Sequence, residues 1–129
     1  MRLLLDTHVW LWMQAATARL RPETIELLAD PDNEVLLSAA SAWEIAIKYA
    51  LGRLPLPVPP PEYVASRMER SGTTGLPVEH RHALHVATLP AHHRDPFDRL
   101  LISQAQLDRL TLVTVDAQME PYDVERISA

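Results

Sequence analysis

Residues 95–116 read DPFDRLLISQAQLDRLTLVTVD and contain a helix followed at once by a strand. Pro96 suits the first position of a helix, which makes Asp95 its N-cap, and the apolar repeat predicts a helix over Asp95 to Leu110. The apolar run Thr111 to Asp116 predicts a strand that ends at an acid. A buried strand has little reason to end at a carboxylate that has no partner, because an unpaired carboxylate is costly to desolvate.

The remaining sequence alternates strand-like and helix-like segments in the same way. We predict further strands at Arg2 to Leu5, Glu34 to Ser38, Gly75 to Val78 and Glu125 to Ser128. We predict further helices at Val9 to Met13, Pro22 to Leu28, Ala39 to Leu51, Glu62 to Arg70 and Glu79 to Leu89. This order predicts a parallel sheet with right-handed crossovers. Leu54 to Pro61 holds five of the 11 prolines and is interpreted as a rigid surface connection.

Length and composition limit the class of protein. The 129 residues, 47% of them hydrophobic, are expected to form one globular domain over 1–129. The absence of cysteine excludes disulfides and thiolate zinc sites. The sequence contains neither a signal segment nor an apolar run of membrane-spanning length, so a cytoplasmic protein is expected. The net charge of −5 argues only weakly against a nucleic-acid partner, because acids that bind metal would leave the rest of the surface close to neutral.

Four acids stand where an apolar element begins or ends, namely Asp6, Glu44, Asp98 and Asp116. Ligands of open α/β sheets gather at the carboxyl ends of strands, so these acids are expected to share a pocket, and a divalent cation is the usual reason for one. Each acid also has a simpler structural interpretation: an N-cap for Asp6, a helical pair with Lys48 for Glu44, the helix start for Asp98 and a turn for Asp116.

Asp95 and Asp98 lie in the same helix start but are expected to differ in role. Asp95 has a cap to make, whereas Asp98, at the third helical position, has none. We therefore assign Asp98 to the metal and Asp95 to the fold.

The six histidines invite a zinc interpretation, which their spacing does not support. Neither the His-x-His of residues 80–82 nor the pair at 92–93 has the four-residue spacing of a helical metal pair, and no cysteine accompanies them. We expect them at the surface or in caps. His8 is the exception, since it adjoins Asp6, and a substrate contact there stays open.

Several motifs together resemble one known family. The stretches LLLDTH at 3–8, SAASAWEIAIK at 38–48, GRLP at 52–55 and HRDPFDRLLISQA at 93–105 resemble PIN-domain proteins, and within these the VapC-type toxins of bacterial toxin–antitoxin pairs. The resemblance covers essentially the whole chain, and the late motif is its most specific part. It implies a three-layer α/β/α sandwich with a five-stranded parallel sheet and a ribonuclease that depends on Mg²⁺ or Mn²⁺.

The resemblance places the family's acidic positions on Asp6, Glu44, Asp98 and Asp116. Asp6 and Asp98 are our first choice for direct metal ligands, while Glu44 and Asp116 would bind through water, hold a second ion or orient the nucleophile. In-line attack would leave a 5′-phosphate and a 3′-hydroxyl. The expected substrate-binding residues are Thr114, Lys48, Arg94 and Arg99.

The resemblance also implies partners. Besides RNA, a small cognate antitoxin is expected to control the activity, and a homodimer is the expected assembly. Trp10, Leu11, Trp12 and Met13 are together more apolar than one short helix needs, so an antitoxin segment is expected to cover them. Trp10 and Trp12 are alternatively core residues, and that role is favoured over base stacking.

Two other functions stay open. A phosphate-receiver module also has an acidic pocket at strand ends. It would need a phosphoacceptor Asp after a mid-chain strand and a lysine at the end of a late strand. This chain has Ser38 and Asp116 at these two positions. A PIN-like scaffold without catalysis, acting only as a partner-binding protein, is the main alternative, and the complete set of acids argues against it.

Overall fold

Five short strands form one sheet in which every neighbouring pair is parallel. The computed structural model describes all residues 1–129. The strands are β1 Arg2–Leu5, β2 Glu34–Ser38, β3 Thr74–Leu76, β4 Thr111–Thr114 and β5 Arg126–Ser128, in the order β3-β2-β1-β4-β5. Since β1 lies in the middle and β4 beside it, the carboxyl ends of these two strands are close neighbours.

Six helices cover the sheet. They are α1 Thr7–Ala15, α2 Pro22–Ala29, α3 Ala39–Ala50, α4 Pro60–Ser71, α5 His80–His85 and α6 Pro96–Asp108. Successive residues of a strand point to opposite faces, and the structure has two hydrophobic cores accordingly. Leu3 and Leu5 of β1 belong to the core that also contains Trp10 of α1, whereas Leu4 belongs to the core that contains Leu101 of α6.

The predicted α/β/α fold with a five-stranded parallel sheet is confirmed, but several predicted boundaries are wrong. The strand predicted over Thr111 to Asp116 is β4, which ends at Thr114, two residues before the acid, and the helix predicted over Asp95 to Leu110 is α6, which ends at Asp108. The helix predicted over Glu79 to Leu89 ends at His85, and a 3₁₀ turn follows, where Arg99 donates to the carbonyl of Val86. The strand predicted over Gly75 to Val78 is β3, which stops before Pro77 because proline has no N–H for the ladder. Pro60 and Pro61 lie in the first turn of α4, where proline is tolerated, rather than in the connection.

The third helix begins at the predicted residue and ends within one residue of the prediction, whereas both ends of the first helix differ from it. α3 ends just before Gly52, whose φ of +71° suits a residue without a side chain after a helix. α1 is longer than predicted, because Asp6 caps it and so lets it begin at Thr7. None of the helices is both long and apolar enough to span a bilayer.

Candidate functional site

The four predicted acids converge at the carboxyl edge of the sheet. Asp6 follows β1 and Asp116 follows β4, while Glu44 lies on α3, which begins directly after β2, and Asp98 lies in the first turn of α6. Thr114, at the end of β4, joins two of them: its hydroxyl donates to Asp6 Oδ2 and accepts from the backbone N–H of Asp116 at 2.9 Å. The parallel strands therefore bring the two ends of the chain into one series of hydrogen-bonded groups.

Asp6 is buried, with 3% of its surface exposed, and both of its carboxylate oxygens accept hydrogen bonds. Oδ1 accepts from the backbone N–H of Val9 at 2.8 Å, which is the cap of α1. Oδ2 accepts from the Thr114 hydroxyl and from the backbone N–H of Val115 at 3.2 Å. Burial raises the pKa of Asp6, and these hydrogen bonds only partly oppose the rise. The N-cap interpretation of Asp6 is thus correct, and it coexists with a place at the site.

Glu44 is equally buried, so it does not lie on a solvated helix face. Oε1 accepts from the Thr7 hydroxyl at 2.6 Å, and Oε2 pairs with Lys48 one turn later on α3. The predicted pair with Lys48 is therefore present. Because Thr7 follows Asp6 directly, its hydroxyl ties the carboxylate of α3 to the end of β1.

The tightest group at the site consists of Asp98, Asp116 and a histidine. His93 Nε2 lies 3.1 Å from Asp98 Oδ2 and 2.8 Å from Asp116 Oδ2. One ligand atom from each of these three residues can be chosen so that all lie within 4.8 Å of one another. Asp6 is not a member of this group, because its oxygens are directed to the cap of α1 and to β4. The first choice of Asp6 as a direct ligand therefore receives less support from the geometry than Asp116 does.

The electrostatic surroundings of Asp98 and Asp116 differ. Burial raises the pKa of Asp98 to about 7, the charges of Asp95, Glu44 and Asp6 add to the rise, and His93 opposes it. For Asp116, burial would raise the pKa, but the N–H of Gln118 and the His93 ring outweigh burial and lower it. Asp98 is therefore a carboxylate whose neighbours repel its own negative charge, and Asp116 is one that is already stabilised as an anion.

These residues fit a hard divalent cation. Mg²⁺ and Mn²⁺ take carboxylate oxygens as ligands and keep several waters, and Asp98 and Asp116 offer such oxygens side by side. Burial, and after it the neighbouring negative charges, raise the pKa of Asp98, and a bound cation would favour its ionised form against both. The site has no soft ligand, because the chain has no cysteine.

Two of the predicted substrate-binding residues have structural tasks instead. Thr114 is completely buried between Asp6 and Asp116 and so positions these acids rather than facing a substrate. Arg99 donates from its guanidinium to the carbonyls of four residues and to the Tyr122 hydroxyl, and it thereby holds the segment before α6 in place; the four residues are Val86, Leu89, Pro90 and His93.

The other two predicted cations lie where a phosphate could reach them. The Lys48 side chain is 37% exposed although it pairs with Glu44. Arg94 is exposed at the start of the segment that carries Asp95 and Asp98. His8 is exposed as well, and its charge acts on both Asp6 and Asp116. Lys48 and His8 are thus basic side chains next to the acidic group.

His93 was not among the predicted site residues. We expected the histidines at the surface or in caps, and this is wrong for His93, which is only 8% exposed and bridges two acids. His82 is also buried, but as a cap: its Nδ1 accepts from the N–H of Glu79 at the start of α5. The position of His93 two residues before the cap of α6 was the available signal. Trp10 is fully buried, so its core role is confirmed.

Comparison with known proteins identifies similar sequences and folds. A family model described as PIN domain matches residues 3–125. Over 63 residues the chain is 56% identical to Ribonuclease VapC16 from Mycobacterium tuberculosis, a segment that covers 49% of this chain and 45% of that protein. The chain thus matches less than half the length of this relative.

Solved structures are similar over nearly the full length. One is VapBC2 from Rickettsia felis bound to a DNA fragment from their promoter, with a TM-score of 0.72, 17% identity, and coverage of 99% of this chain and 98% of that chain. Another is a toxin-antitoxin complex from Klebsiella pneumoniae, with a TM-score of 0.62, 18% identity, and coverage of 97% and 95%. At these identities the similarity concerns the fold.

Proposed function

Because the chain belongs to the PIN-domain family, we propose that it is a ribonuclease that hydrolyses RNA phosphodiester bonds with Mg²⁺ or Mn²⁺. The observation that carries the proposal is the convergence of Asp6, Glu44, Asp98 and Asp116 at one edge of the sheet, with Asp98 repelled by its neighbours. The sequence similarity to a ribonuclease over 63 residues supports the choice of substrate.

Each acid has a role that follows from its contacts. Asp98 and Asp116 offer carboxylate oxygens within 4.8 Å of one another and would hold the cation directly. Asp6 and Glu44, whose oxygens already accept hydrogen bonds, complete the negative pocket and position the waters around it. When bound, a divalent cation lowers the pKa of a coordinated water and offsets charge on the scissile phosphate.

Exposed basic side chains would meet the RNA backbone. Lys48 and Arg94 are the candidates for phosphate contacts, since both are at least partly exposed. Such contacts position a nucleic acid without reading its sequence. Arg99, by contrast, keeps its structural role in this proposal.

The experiment that tests the proposal compares three variants on cellular RNA with Mg²⁺, with Mn²⁺ and with EDTA. Wild type is expected to cleave only with metal, Asp98→Asn and Asp116→Asn are expected to lose cleavage, and Asp95→Asn is the matched control because asparagine caps well and lies one turn away. Equal cleavage in EDTA would contradict the metal mechanism. Full activity of both Asp98→Asn and Asp116→Asn would contradict the site.

We further propose that a small antitoxin protein controls the activity, since the fold is similar to that of a toxin-antitoxin complex. The structure gives less room for the expected docking surface at Trp10 to Met13. Trp10 is inside the core, and the next three residues are partly buried against that core. A more open apolar surface is the cleft of about 350 Å³ between α3 and α4, lined by Ala42, Ala46, Pro60, Pro61, Val64, Ala65 and Met68. An amphipathic helix of the antitoxin would lay its apolar side there.

Expression in a bacterium, alone and with the adjacent small gene, tests this control. Growth arrest that the adjacent gene relieves, and that is absent with Asp98→Asn, is expected. Normal growth despite strong expression of soluble wild-type chain would favour the non-catalytic scaffold. Light scattering on the isolated chain tests whether it forms the homodimer expected from the sequence.

A further inference from the structure

His93 has a partner for every polar group it carries. Its backbone N–H donates to the Tyr122 hydroxyl at 2.7 Å, and its carbonyl accepts from Arg99 at 3.3 Å. Its ring nitrogen Nδ1 accepts from the backbone N–H of Asp95 at 3.1 Å. Nε2 faces the two carboxylates of Asp98 and Asp116. Such a complete set of contacts, on a residue that is 8% exposed, fixes the ring in one orientation.

The contact with Asp95 decides which ring nitrogen carries the proton. A backbone N–H only donates, so Nδ1 must present its lone pair to Asp95. In a neutral imidazole the proton is then on Nε2, which becomes a donor directed at the two carboxylates. A metal ligand would need the opposite arrangement, with a lone pair on Nε2, and the proton on Nδ1 would then meet the N–H of Asp95. The short distances around His93 therefore describe hydrogen bonds and not a third ligand position.

We propose that His93 is a positioning residue: its Nε2–H ties Asp98 to Asp116 and holds the two carboxylates at the spacing that a divalent cation requires. The inference rests on the proposed function in one respect, namely that the ligand of the two carboxylates is a divalent cation. His93 contacts both carboxylates and no other side chain does, so without it nothing would hold Asp98 and Asp116 in their relative position.

The segment around His93 is built to keep the ring in place. Tyr122 accepts from the N–H of His93 and donates to the carbonyl of Pro90 at 2.9 Å, so one hydroxyl joins both ends of the loop. Arg99 of α6 donates to the carbonyls of Pro90 and His93. The same helix thus carries Asp98 and the arginine that secures the histidine bonded to it, which explains why Arg99 is not directed at a substrate.

The tautomer is measured directly by ¹⁵N NMR of the histidine rings in the full chain, without metal at neutral pH. We expect His93 to show a protonated Nε2 and an unprotonated Nδ1. A protonated Nδ1 on His93, with or without a second proton on Nε2, would overturn the proposal. This measurement needs no bound cation, so it stands even if the ribonuclease proposal fails.

Binding of Mn²⁺ then tests the positioning role. His93→Gln keeps an N–H donor near the position of Nε2 and is expected to bind Mn²⁺ as the wild type does, whereas His93→Ala is expected to lose affinity about 10- to 100-fold. His80→Ala is the control on an exposed histidine. Pulsed EPR of the Mn²⁺-loaded wild type is expected to show no directly coordinated imidazole nitrogen. Such a nitrogen signal, or equal affinity of His93→Ala and wild type, would overturn the proposal.

The outcomes separate the two proposals. If the chain binds no Mn²⁺ but His93 has the expected tautomer, the metal-dependent function fails and the donor assignment stands. If Mn²⁺ binds through a histidine nitrogen, the function survives and the positioning role fails. Circular dichroism of His93→Ala and His93→Gln verifies that both variants fold before their affinities are compared.

Discussion

Replacing Asp98 by asparagine is expected to change how stability depends on pH when no metal is bound. The pKa of Asp98 rises from 3.8 to about 7 in the folded protein, so the folded chain holds this proton more tightly than the unfolded chain does. The stabilisation from the proton is therefore fully present below about pH 3.8 and is lost as the pH rises through about 7. An asparagine at this position cannot ionise, yet its side-chain oxygen can still accept from His93.

The size of the effect follows from the two pKa values. One pH unit corresponds to about 1.4 kcal/mol, so the interval between 3.8 and about 7 corresponds to about 4 kcal/mol in total. Most of it, about 3 kcal/mol, falls between pH 5 and pH 8. The Asp98 side chain is only 17% exposed, so solvent screening removes little of this value. Burial is the largest cause of the raised pKa, and the charges of Asp95, Glu44 and Asp6 add to it, so a bound cation, which favours the ionised carboxylate, should oppose it.

The assay is urea denaturation in EDTA from about pH 4 to pH 8 for wild type, Asp98→Asn and the exposed control Asp32→Asn. Wild type and Asp32→Asn should lose stability as the pH rises, and Asp98→Asn should lose about 3 kcal/mol less and exceed wild type at pH 8. A wild-type profile that is flat or rises between pH 5 and pH 8 would refute the reasoning. So would an Asp98→Asn protein that is less stable than wild type at pH 8.

Three other substitutions have defined expectations in denaturation experiments. Asp95→Ala should lose about 1 kcal/mol of the α6 cap while Asp95→Asn keeps it, and RNA cleavage should survive in both; an inactive Asp95→Asn protein would reverse the roles assigned within the motif. Thr114→Val should lower the free energy of unfolding by about 1–3 kcal/mol, because it removes a buried donor to Asp6. Thr114→Ser keeps the hydroxyl and should lower it by about 1 kcal/mol for the missing methyl. Equal losses in the two variants would show that the hydroxyl is unimportant. Burial would raise the pKa of Asp108, but hydrogen bonds from Arg81 and His82 outweigh it and lower the pKa. Asp108→Asn should therefore lower the free energy of unfolding by less than about 1 kcal/mol above pH 3.8, and this difference should vanish as the pH falls below that value. A difference from wild type that stays constant with pH would contradict this expectation.

The cap role of Asp95 was predictable because it depends on local structure. A proline at the first helical position determines which neighbouring acid can cap the helix, and the structure has Asp95 accepting from the N–H of Phe97 at 2.8 Å. The buried position of Glu44 was predictable from the apolar residues around it. In both cases the information lies within a few residues of the acid.

The role of His93 was not predictable in this way. Its partners Asp116 and Tyr122 lie more than 20 residues away, and nothing in the segment 91–94 has the periodicity of a helix or strand. The same holds for Arg99, which looked like a phosphate contact in sequence and instead turned toward the segment before α6, where it donates to four carbonyls. Spacing rules do not apply where the chain has no regular period.

The α/β class, the parallel sheet and the four acids at its edge could be predicted from the sequence, because apolar periodicity and helix caps are encoded over a few neighbouring residues. Which acids lie within reach of a single cation, and which residue bridges them, could be read only from the folded chain. The same holds for the support that Thr114 and Arg99 give the site from behind. These facts depend on how β1, β4 and α6 pack side by side, and that packing sets distances between groups that the sequence separates by as many as 108 positions.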